Sequence, residues 1–179
     1  MLQMSSIQDE KLTIAMQKSV NRIMSIAKVH QMLYQSEDFN KIPFKQYVDE
    51  LADEILTTMN SEDKNIQFQS SIDIEYMSIN HSVPLGIIFN ELITNSIKYG
   101  FNGTTENHIQ ITGTLVENSV HICYLDSGPG IVNFEEASTK SLGFSLIDSL
   151  FTQIDATFEY NTAQQFRLDF RFPISDLQA

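Results

Sequence analysis

Apolar residues recur every three or four positions along the first part of the chain, which is the spacing of one helix face. The stripe consists of Leu12, Met16, Val20, Ile23, Ala27, His30 and Tyr34. No glycine or proline interrupts residues 8–36. The pattern therefore predicts an amphipathic helix of about 28 residues, roughly 42 Å long. Because a helix this long with a wide apolar face needs partners, we expect a helical hairpin or a dimeric bundle.

The remainder of the chain alternates between helix and strand patterns. Helical spacing predicts helices over Phe44–Met59, Ser82–Tyr99 and Leu142–Ile154. Period-two alternation predicts strands at 66–75, 109–111, 120–124 and 166–172, with a further strand before the last. Hairpins place neighbouring strands antiparallel, so this order predicts an α+β fold, a two-layer α/β sandwich rather than a parallel doubly wound sheet.

Composition narrows the classes of function. The 179 residues include 11 Lys and Arg against 23 Asp and Glu, a net charge of −12, which argues against a nucleic-acid-binding face. Cys123 is the sole cysteine, so an internal disulfide is excluded and a reducing compartment is expected. No run approaches the roughly 18 apolar residues of a membrane helix. We expect a soluble, cytoplasmic chain that makes no membrane contact.

A row of polar residues occupies one face of the predicted helix over 82–99. Glu91, Asn95, Lys98 and Asn102 fall at positions i, i+4, i+7 and i+11. A carboxylate, an amide and an ammonium group in one row can coordinate Mg²⁺ and contact a phosphate. The alternative is a solvated polar face with a weak Glu–Lys pair.

Two glycine-containing segments follow. Asp126 ends a predicted strand, and Gly128 and Gly130 come directly after it. Glycines allow a ligand to approach the backbone, and a carboxylate at a strand end can accept a hydrogen bond from an exocyclic amine. The alternative is an ordinary turn.

The second glycine segment opens the helix over 142–154. Gly143 lies in the first turn, where a glycine costs roughly 1 kcal/mol relative to alanine. A helix start with little side-chain bulk presents its N–H groups to an anion such as phosphate. A glycine required for packing is the alternative.

Taken together, the three motifs resemble the ATP-binding domain of the GHKL superfamily, which includes the histidine kinases and the type II topoisomerase ATPases. Asn90–Tyr99 resembles its asparagine box, Asp126–Gly130 its first glycine box, and Ser141–Leu146 its second. Asn21–Ser36 is similar to the second bundle helix of sensor histidine kinases of the HWE-like subclass. The resemblance covers nearly the whole chain.

This resemblance implies roles for particular residues. It implies that Asn95 is the Mg²⁺ ligand, that Glu91 holds or activates a water near the metal, and that Lys98 reaches a phosphate. Tyr99 packs beside the nucleotide. The ATP-binding positions that it implies in the glycine boxes are Asp126 for the adenine amino group, Gly128 and Gly130 for the pocket wall, and Ser141, Leu142 and Gly143 for the phosphates.

The implied activity is transfer of the ATP γ-phosphoryl group to a histidine, and from there to the receiver domain of a response regulator. Residues 1–36 are then part of a dimerisation region that forms a homodimer, residues 37–43 a linker, and residues 44–179 the catalytic domain. Two departures stand out. Ser141 replaces the first glycine of a Gly-x-Gly motif, and the His-Arg acceptor motif is absent from the printed residues. We therefore expect a piece of a longer kinase that cannot phosphorylate itself.

Two other functions stay open from the sequence. A stand-alone GHKL serine kinase of the anti-sigma type explains the missing acceptor but not the long first helix. A non-catalytic GHKL module that binds nucleotide or protein without turnover is the second alternative, although Glu91, Asn95 and Asp126 are all present.

Overall fold

The computed structural model describes residues 41–59, 65–101, 107–130, 142–162 and 164–174, together with Met16, Val20, Ile23 and Ala27. Those four residues are helical and exposed, in agreement with a helix there. The other residues of the helix predicted over 8–36, His30 among them, lie outside the described part. No helix in the described ranges is long and apolar enough to cross a membrane.

Helices and strands follow one another as the hydrophobic pattern predicts. The helices are α1 (Phe44–Thr58), α2 (Ile79–Asn95), a π-helix (Ser96–Gly100) and α3 (Leu142–Gln153). The strands are β1 (Ile42–Pro43), β2 (Ile66–Ile72), β3 (Tyr76–Met77), β4 (Asn107–Val116), β5 (Ser119–Asp126), β6 (Thr157–Asn161) and β7 (Arg167–Pro173).

A five-stranded sheet in the order β2-β4-β5-β7-β6 carries the fold, and β1 pairs with β3 in a separate two-stranded sheet. The pairs β4–β5, β5–β7 and β6–β7 are antiparallel. β2 and β4 are parallel, which the hairpin pattern did not indicate. The reason is that α2 lies between them in the chain as a crossover, and a crossover returns the next strand in the same direction. The α+β sandwich is confirmed.

Alternate residues of the sheet separate a buried face from a polar one. The buried positions include Ile109, Ile111, Val120, Ile122, Tyr124, Leu168, Phe170 and Phe172, as predicted. Between them, residues such as His121 and Arg171 are exposed. Since neighbouring residues of a strand point to opposite faces, the helices cover one face, and even-numbered residues of β5 point toward them.

Three boundaries differ from the predictions. α2 begins at Ile79 rather than Ser82, because Ser78 takes the extended N-cap conformation, and Pro84 is accommodated inside the helix. The strand predicted over 66–75 ends at Ile72, and the short β3 follows it. The last two residues of the predicted linker form β1, in which Ile42 is buried and pairs with Met77.

α1 and α2 pack closely at Gly86. A Cβ placed on Gly86 would lie 1.7 Å from the Tyr47 hydroxyl oxygen. Tyr47 is fully buried, its hydroxyl has no hydrogen-bond partner among the described residues, and burial raises its pKa. A glycine inside a helix normally weakens it. Here the missing side chain is the space that the tyrosine ring tip occupies.

Gly86→Ala should therefore destabilise the protein although alanine is the better helix former. Overpacking against Tyr47 should lower the free energy of unfolding by about 1–3 kcal/mol, measured by urea denaturation. Tyr47→Phe removes an unsatisfied buried hydroxyl, so on its own it should leave stability equal or higher. In the Gly86→Ala background it should recover part of the loss. A Gly86→Ala protein as stable as the parent would contradict this packing.

Candidate functional site

A buried carboxylate stands where β5 ends. Asp126 is 3% exposed, and its side chain points to the same face as that of Tyr124, two residues earlier. Both meet Ser96, the first residue of the π-helix. The Ser96 Oγ lies 2.5 Å from Asp126 Oδ2 and 2.7 Å from the Tyr124 hydroxyl oxygen. On the other side, the Gly128 N–H donates to Asp126 Oδ1 at 2.8 Å.

The electrostatics of Asp126 reflect these contacts. Burial raises the pKa of Asp126, while the hydrogen bonds from Ser96 and the Gly128 N–H, and the nearby His108, act to lower it. Burial likewise raises the pKa of Tyr124 well above its usual range, and the carboxylate adds to that rise. Tyr124 therefore stays a neutral hydroxyl donor, and Asp126 is a hydrogen-bond acceptor with two protein donors already in place.

The two glycines after Asp126 are required by their surroundings. A Cβ on Gly128 would lie 2.8 Å from the Gly100 carbonyl oxygen and 2.9 Å from Asp126 Oδ1. Gly130 has φ +76°, and a Cβ there would lie 2.3 Å from the Thr162 carbonyl oxygen. The loop backbone thus sits directly against the end of the π-helix, which brings the predicted first glycine box and asparagine box together.

The polar row of the asparagine box runs from α2 into the π-helix. Glu91 is buried, Asn95 and Lys98 are half-buried, and Tyr99 is 62% exposed. The last four residues of the helix predicted through Tyr99 belong to the π-helix rather than to α2, and there the Phe101 N–H donates to the Ser96 carbonyl oxygen, five residues back. π-Helical segments inside helices often mark functional sites. Asn102 lies outside the described residues.

The second glycine box is described only from α3 onward. Gly143 is buried in the first turn of α3, whereas Ser141 and the Leu142 side chain lie outside the described part. Phe144 packs against Phe166, with ring centroids 6.4 Å apart, and the Phe166 carbonyl accepts the Asp126 N–H. This chain of contacts brings the start of α3 near the end of β5.

Sequence reasoning missed the role of Ser96. Ser96 shares the helical spacing of Leu85, Ile88 and Leu92, and all four are buried. A hydroxyl among apolar core positions was the available signal, since a buried polar group needs a partner. The partner was not identifiable, because it comes from a strand thirty residues later in the chain.

The site fits an adenine nucleotide with Mg²⁺. Asp126 offers acceptor lone pairs, Asn95 offers an amide oxygen of the kind that Mg²⁺ takes, and Glu91 lies four residues earlier in α2, where it can hold a water of the metal. Among the described residues, no group of three or more His, Cys, Asp or Glu side chains could hold a metal. Mg²⁺ does not need such a group, because it keeps several waters and binds through one or two protein ligands plus phosphates.

A concavity on the polar outer face of the sheet offers less chemistry than the surroundings of Asp126. Its volume is about 620 Å³, and its lining includes Cys123, Asp169 and Arg171. Burial and the Asp169 charge raise the pKa of Cys123 to about 11. The thiol is therefore a poor nucleophile, and the site at Asp126 is the stronger candidate.

Comparisons with known proteins point to histidine kinases. A family model of histidine kinases matches residues 1–59. The sensor histidine kinase PdtaS of Mycolicibacterium smegmatis is 27% identical over 156 residues, covering 84% of this chain and 30% of that protein. PdtaS of Mycobacterium tuberculosis is 28% identical over 141 residues, covering 76% of this chain and 27% of that protein. The chain thus spans less than a third of either relative.

Solved structures show the same fold. The histidine kinase domain of the Erythrobacter litoralis blue-light activated histidine kinase EL346 matches with a TM-score of 0.77 and 15% identity, covering 88% of this chain and 75% of that one. The histidine kinase AdeS of Acinetobacter baumannii matches with a TM-score of 0.60 and 16% identity, covering 88% and 77%. Family model, relatives and fold agree: the first 59 residues of the chain are similar to histidine kinases, its relatives are sensor histidine kinases, and its fold is that of a histidine kinase domain.

Proposed function

We propose that this chain is the ATP-binding catalytic region of a two-component sensor histidine kinase. It transfers the ATP γ-phosphoryl group to a histidine outside the printed residues, and from there the group passes to a response-regulator receiver domain. The observation that carries the proposal is the buried carboxylate of Asp126, held from two sides at the end of β5. Because ATP and receiver domains are cytoplasmic, we assign the chain to that compartment.

Asp126 selects adenine by its hydrogen-bonding chemistry. An ionised carboxylate only accepts hydrogen bonds and has about four lone-pair directions. Ser96 takes one on Oδ2 and the Gly128 N–H takes one on Oδ1. The remaining directions accept the exocyclic amino group of adenine, while a base with a carbonyl at that position has no donor to offer. Gly128 and Gly130 leave the loop backbone open beside it.

The polar row of the asparagine box serves the triphosphate. When bound, Mg²⁺ supplies charge neutralisation at the phosphates. Asn95 offers its amide oxygen to the metal, Glu91 orients a water near it, and Lys98 contacts a phosphate. Tyr99, exposed on the same segment, packs beside the nucleotide. Phosphoryl transfer depends mainly on such positioning and charge stabilisation.

The start of α3 completes the phosphate contacts. We assign the phosphates to the segment Ser141, Leu142 and Gly143, because α3 begins at Leu142 and the first N–H groups of a helix have no partner within it. The absence of a side chain at Gly143 lets the ligand approach this backbone.

We propose the same arrangement of domains as the sequence predicts. Residues 1–36 are assigned to part of a dimerisation region, residues 37–43 to a linker and residues 44–179 to the catalytic domain; the buried Ile42, which pairs with Met77, is the part of the linker that joins this domain. A stand-alone anti-sigma-type serine kinase is less well supported, because the histidine kinase model matches the helical region at 1–59. A non-catalytic module would not need Glu91, Asn95 and Asp126 together.

We further propose that two chains associate through the first helix. Met16, Val20 and Ile23 are 62%, 49% and 63% exposed. With Ala27 they follow the 4-3-4 spacing of a helix–helix seam. Large apolar side chains exposed in a row mark an interaction surface, and a second copy presents the complementary row.

Nucleotide binding tests the adenine assignment. Asp126→Asn replaces one acceptor oxygen by a donor, so ATP affinity should fall by about 1–3 kcal/mol. The preference for ATP over inosine triphosphate, which carries a carbonyl in place of the amino group, should shrink. Calorimetry with Mg²⁺ measures both. Asp73→Asn, an exposed carboxyl between β2 and β3, is the matched control. Failure of the folded parent to bind ATP would refute the proposal.

Self-association tests the dimer assignment. Ile23→Asp places a charge in the apolar row and should shift the chain toward monomer in light scattering, because an unpaired charge is costly to bury. Asn21→Asp, which adds the same charge off the row, should not. A strictly monomeric parent at high concentration would contradict the interface.

Phosphoryl transfer tests the acceptor assignment. Incubated with radiolabelled ATP, the chain should acquire no acid-labile label, because the printed residues lack the His-Arg acceptor motif. Calorimetry on the same sample verifies that nucleotide is bound. Label that is lost in both Asn95→Ala and His30→Gln would contradict the expectation and make His30 the acceptor.

A further inference from the structure

We propose that Tyr124 and Ser96 are positioning residues for Asp126, forming a hydroxyl relay that orients the carboxylate toward the adenine amino group. The inference rests on the proposed function, since it assumes that Asp126 receives adenine. It is drawn from three side chains brought together from two elements, the π-helix and β5, and from the directions in which their protons must point.

The direction of the relay follows from counting protons. An ionised Asp126 accepts only, so the 2.5 Å contact from Ser96 Oγ to Oδ2 uses the single proton of the serine. Only lone pairs of Ser96 Oγ then face the Tyr124 hydroxyl at 2.7 Å. Tyr124 must donate to Ser96, and Ser96 to Asp126. Burial and the adjacent carboxylate raise the pKa of Tyr124, which keeps its proton available for this bond.

The relay competes with an ordinary helix contact. The Leu92 carbonyl oxygen lies 3.1 Å from Ser96 Oγ, and a serine within a helix commonly donates to the carbonyl four residues back. Donation from Tyr124 strengthens the Ser96 O–H as a donor, because chained hydrogen bonds polarise one another. The shorter, charge-assisted bond to Asp126 then prevails.

Two anchors fix the carboxylate plane. Ser96 holds Oδ2 from the helix layer, while the Gly128 N–H holds Oδ1 from the loop that follows the strand. With both in place the carboxylate cannot rotate about its Cβ–Cγ bond. Loss of the Ser96 bond leaves one anchor, so the lone pairs that face the ligand are no longer fixed.

The hydrogen bond between Ser96 and Asp126 also affects the pH below which nucleotide affinity is lost. Three groups act on the pKa of Asp126: Ser96 on the π-helix, His108 on β4 and the Gly128 N–H of the loop. Asp126 in turn raises the pKa of Tyr124 on β5. Burial raises the pKa of Asp126, and the Ser96 bond lowers it. Protonation removes acceptor capacity, so nucleotide affinity falls as pH decreases through this pKa. Without the Ser96 hydroxyl, the pKa of Asp126 rises further, so nucleotide affinity begins to fall at a higher pH.

The experiment measures three variants: Ser96→Ala, Tyr124→Phe and the double variant that combines them. Tyr47→Phe serves as the control. Tyr47 is an equally buried tyrosine whose hydroxyl has no partner in the described structure, which makes it the matched control. Calorimetry with ATP and Mg²⁺ is run from neutral to mildly acid pH, and folding is checked by thermal unfolding.

We expect Ser96→Ala to weaken ATP binding about tenfold and Tyr124→Phe to weaken it about threefold. In the Ser96→Ala background Tyr124→Phe should add nothing, since the relay is already broken. In Ser96→Ala, ATP affinity should begin to fall at a higher pH than in the parent as the solution is acidified. Tyr47→Phe should bind ATP with the same affinity as the parent at every pH. If Ser96 had a purely structural role, Ser96→Ala would change the thermal stability of the protein but not the pH dependence of its ATP affinity.

Asp126→Asn separates this inference from the proposed function. If it binds ATP as tightly as the parent, the adenine assignment itself fails. If it binds weakly while folded Ser96→Ala and Tyr124→Phe bind like the parent, only the relay is overturned. Fully additive losses in the double variant also overturn it. Should Ser96→Ala not fold, Tyr124→Phe against Tyr47→Phe decides, and equal affinities refute the relay.

Discussion

The hydrogen bond between Ser96 and Asp126 is the interaction on which the rest of the site depends. Burying a carboxylate is costly unless donors compensate it, and this one is 3% exposed. The serine that compensates it opens the π-helix, so the bond ties the end of the helix layer to the end of β5. Gly128 meets Gly100 beside it because Gly128 has no side chain: a Cβ there would lie 2.8 Å from the Gly100 carbonyl oxygen. The residues proposed to recognise adenine and those proposed to hold the metal are thereby fixed relative to one another.

Net charge appears at first to oppose this function. Under the proposed function, a chain with charge −12 binds a polyphosphate anion. The proposed site resolves the conflict locally rather than globally. In it, Lys98, the first N–H groups of α3 and a bound cation neutralise the phosphates. The buried acid Asp126 is assigned to the adenine amino group, which is a donor, rather than to a phosphate.

Much of the fold followed from local patterns, because side-chain periodicity reports which face of a helix or strand is buried. The strands of the β4–β5 hairpin and the buried residues of β7 are examples, and so are the three motifs that carry the family resemblance. The sheet order and the parallel β2–β4 pair were not predictable, since they depend on which strands meet after α2 crosses over. The π-helix was missed because Ser96–Gly100 continues the helical pattern. What distinguishes this segment from an α-helix is its tertiary contacts, those of Ser96 with Asp126 and of Gly100 with Gly128.

The most direct test of the central claim is a crystal structure of the chain with bound ADP and Mg²⁺. The account predicts the adenine amino nitrogen within hydrogen-bonding distance of the Asp126 carboxylate, with Ser96 and the Gly128 N–H still donating to its two oxygens. An adenine ring bound elsewhere, or an Asp126 side chain turned away from it, would contradict the account.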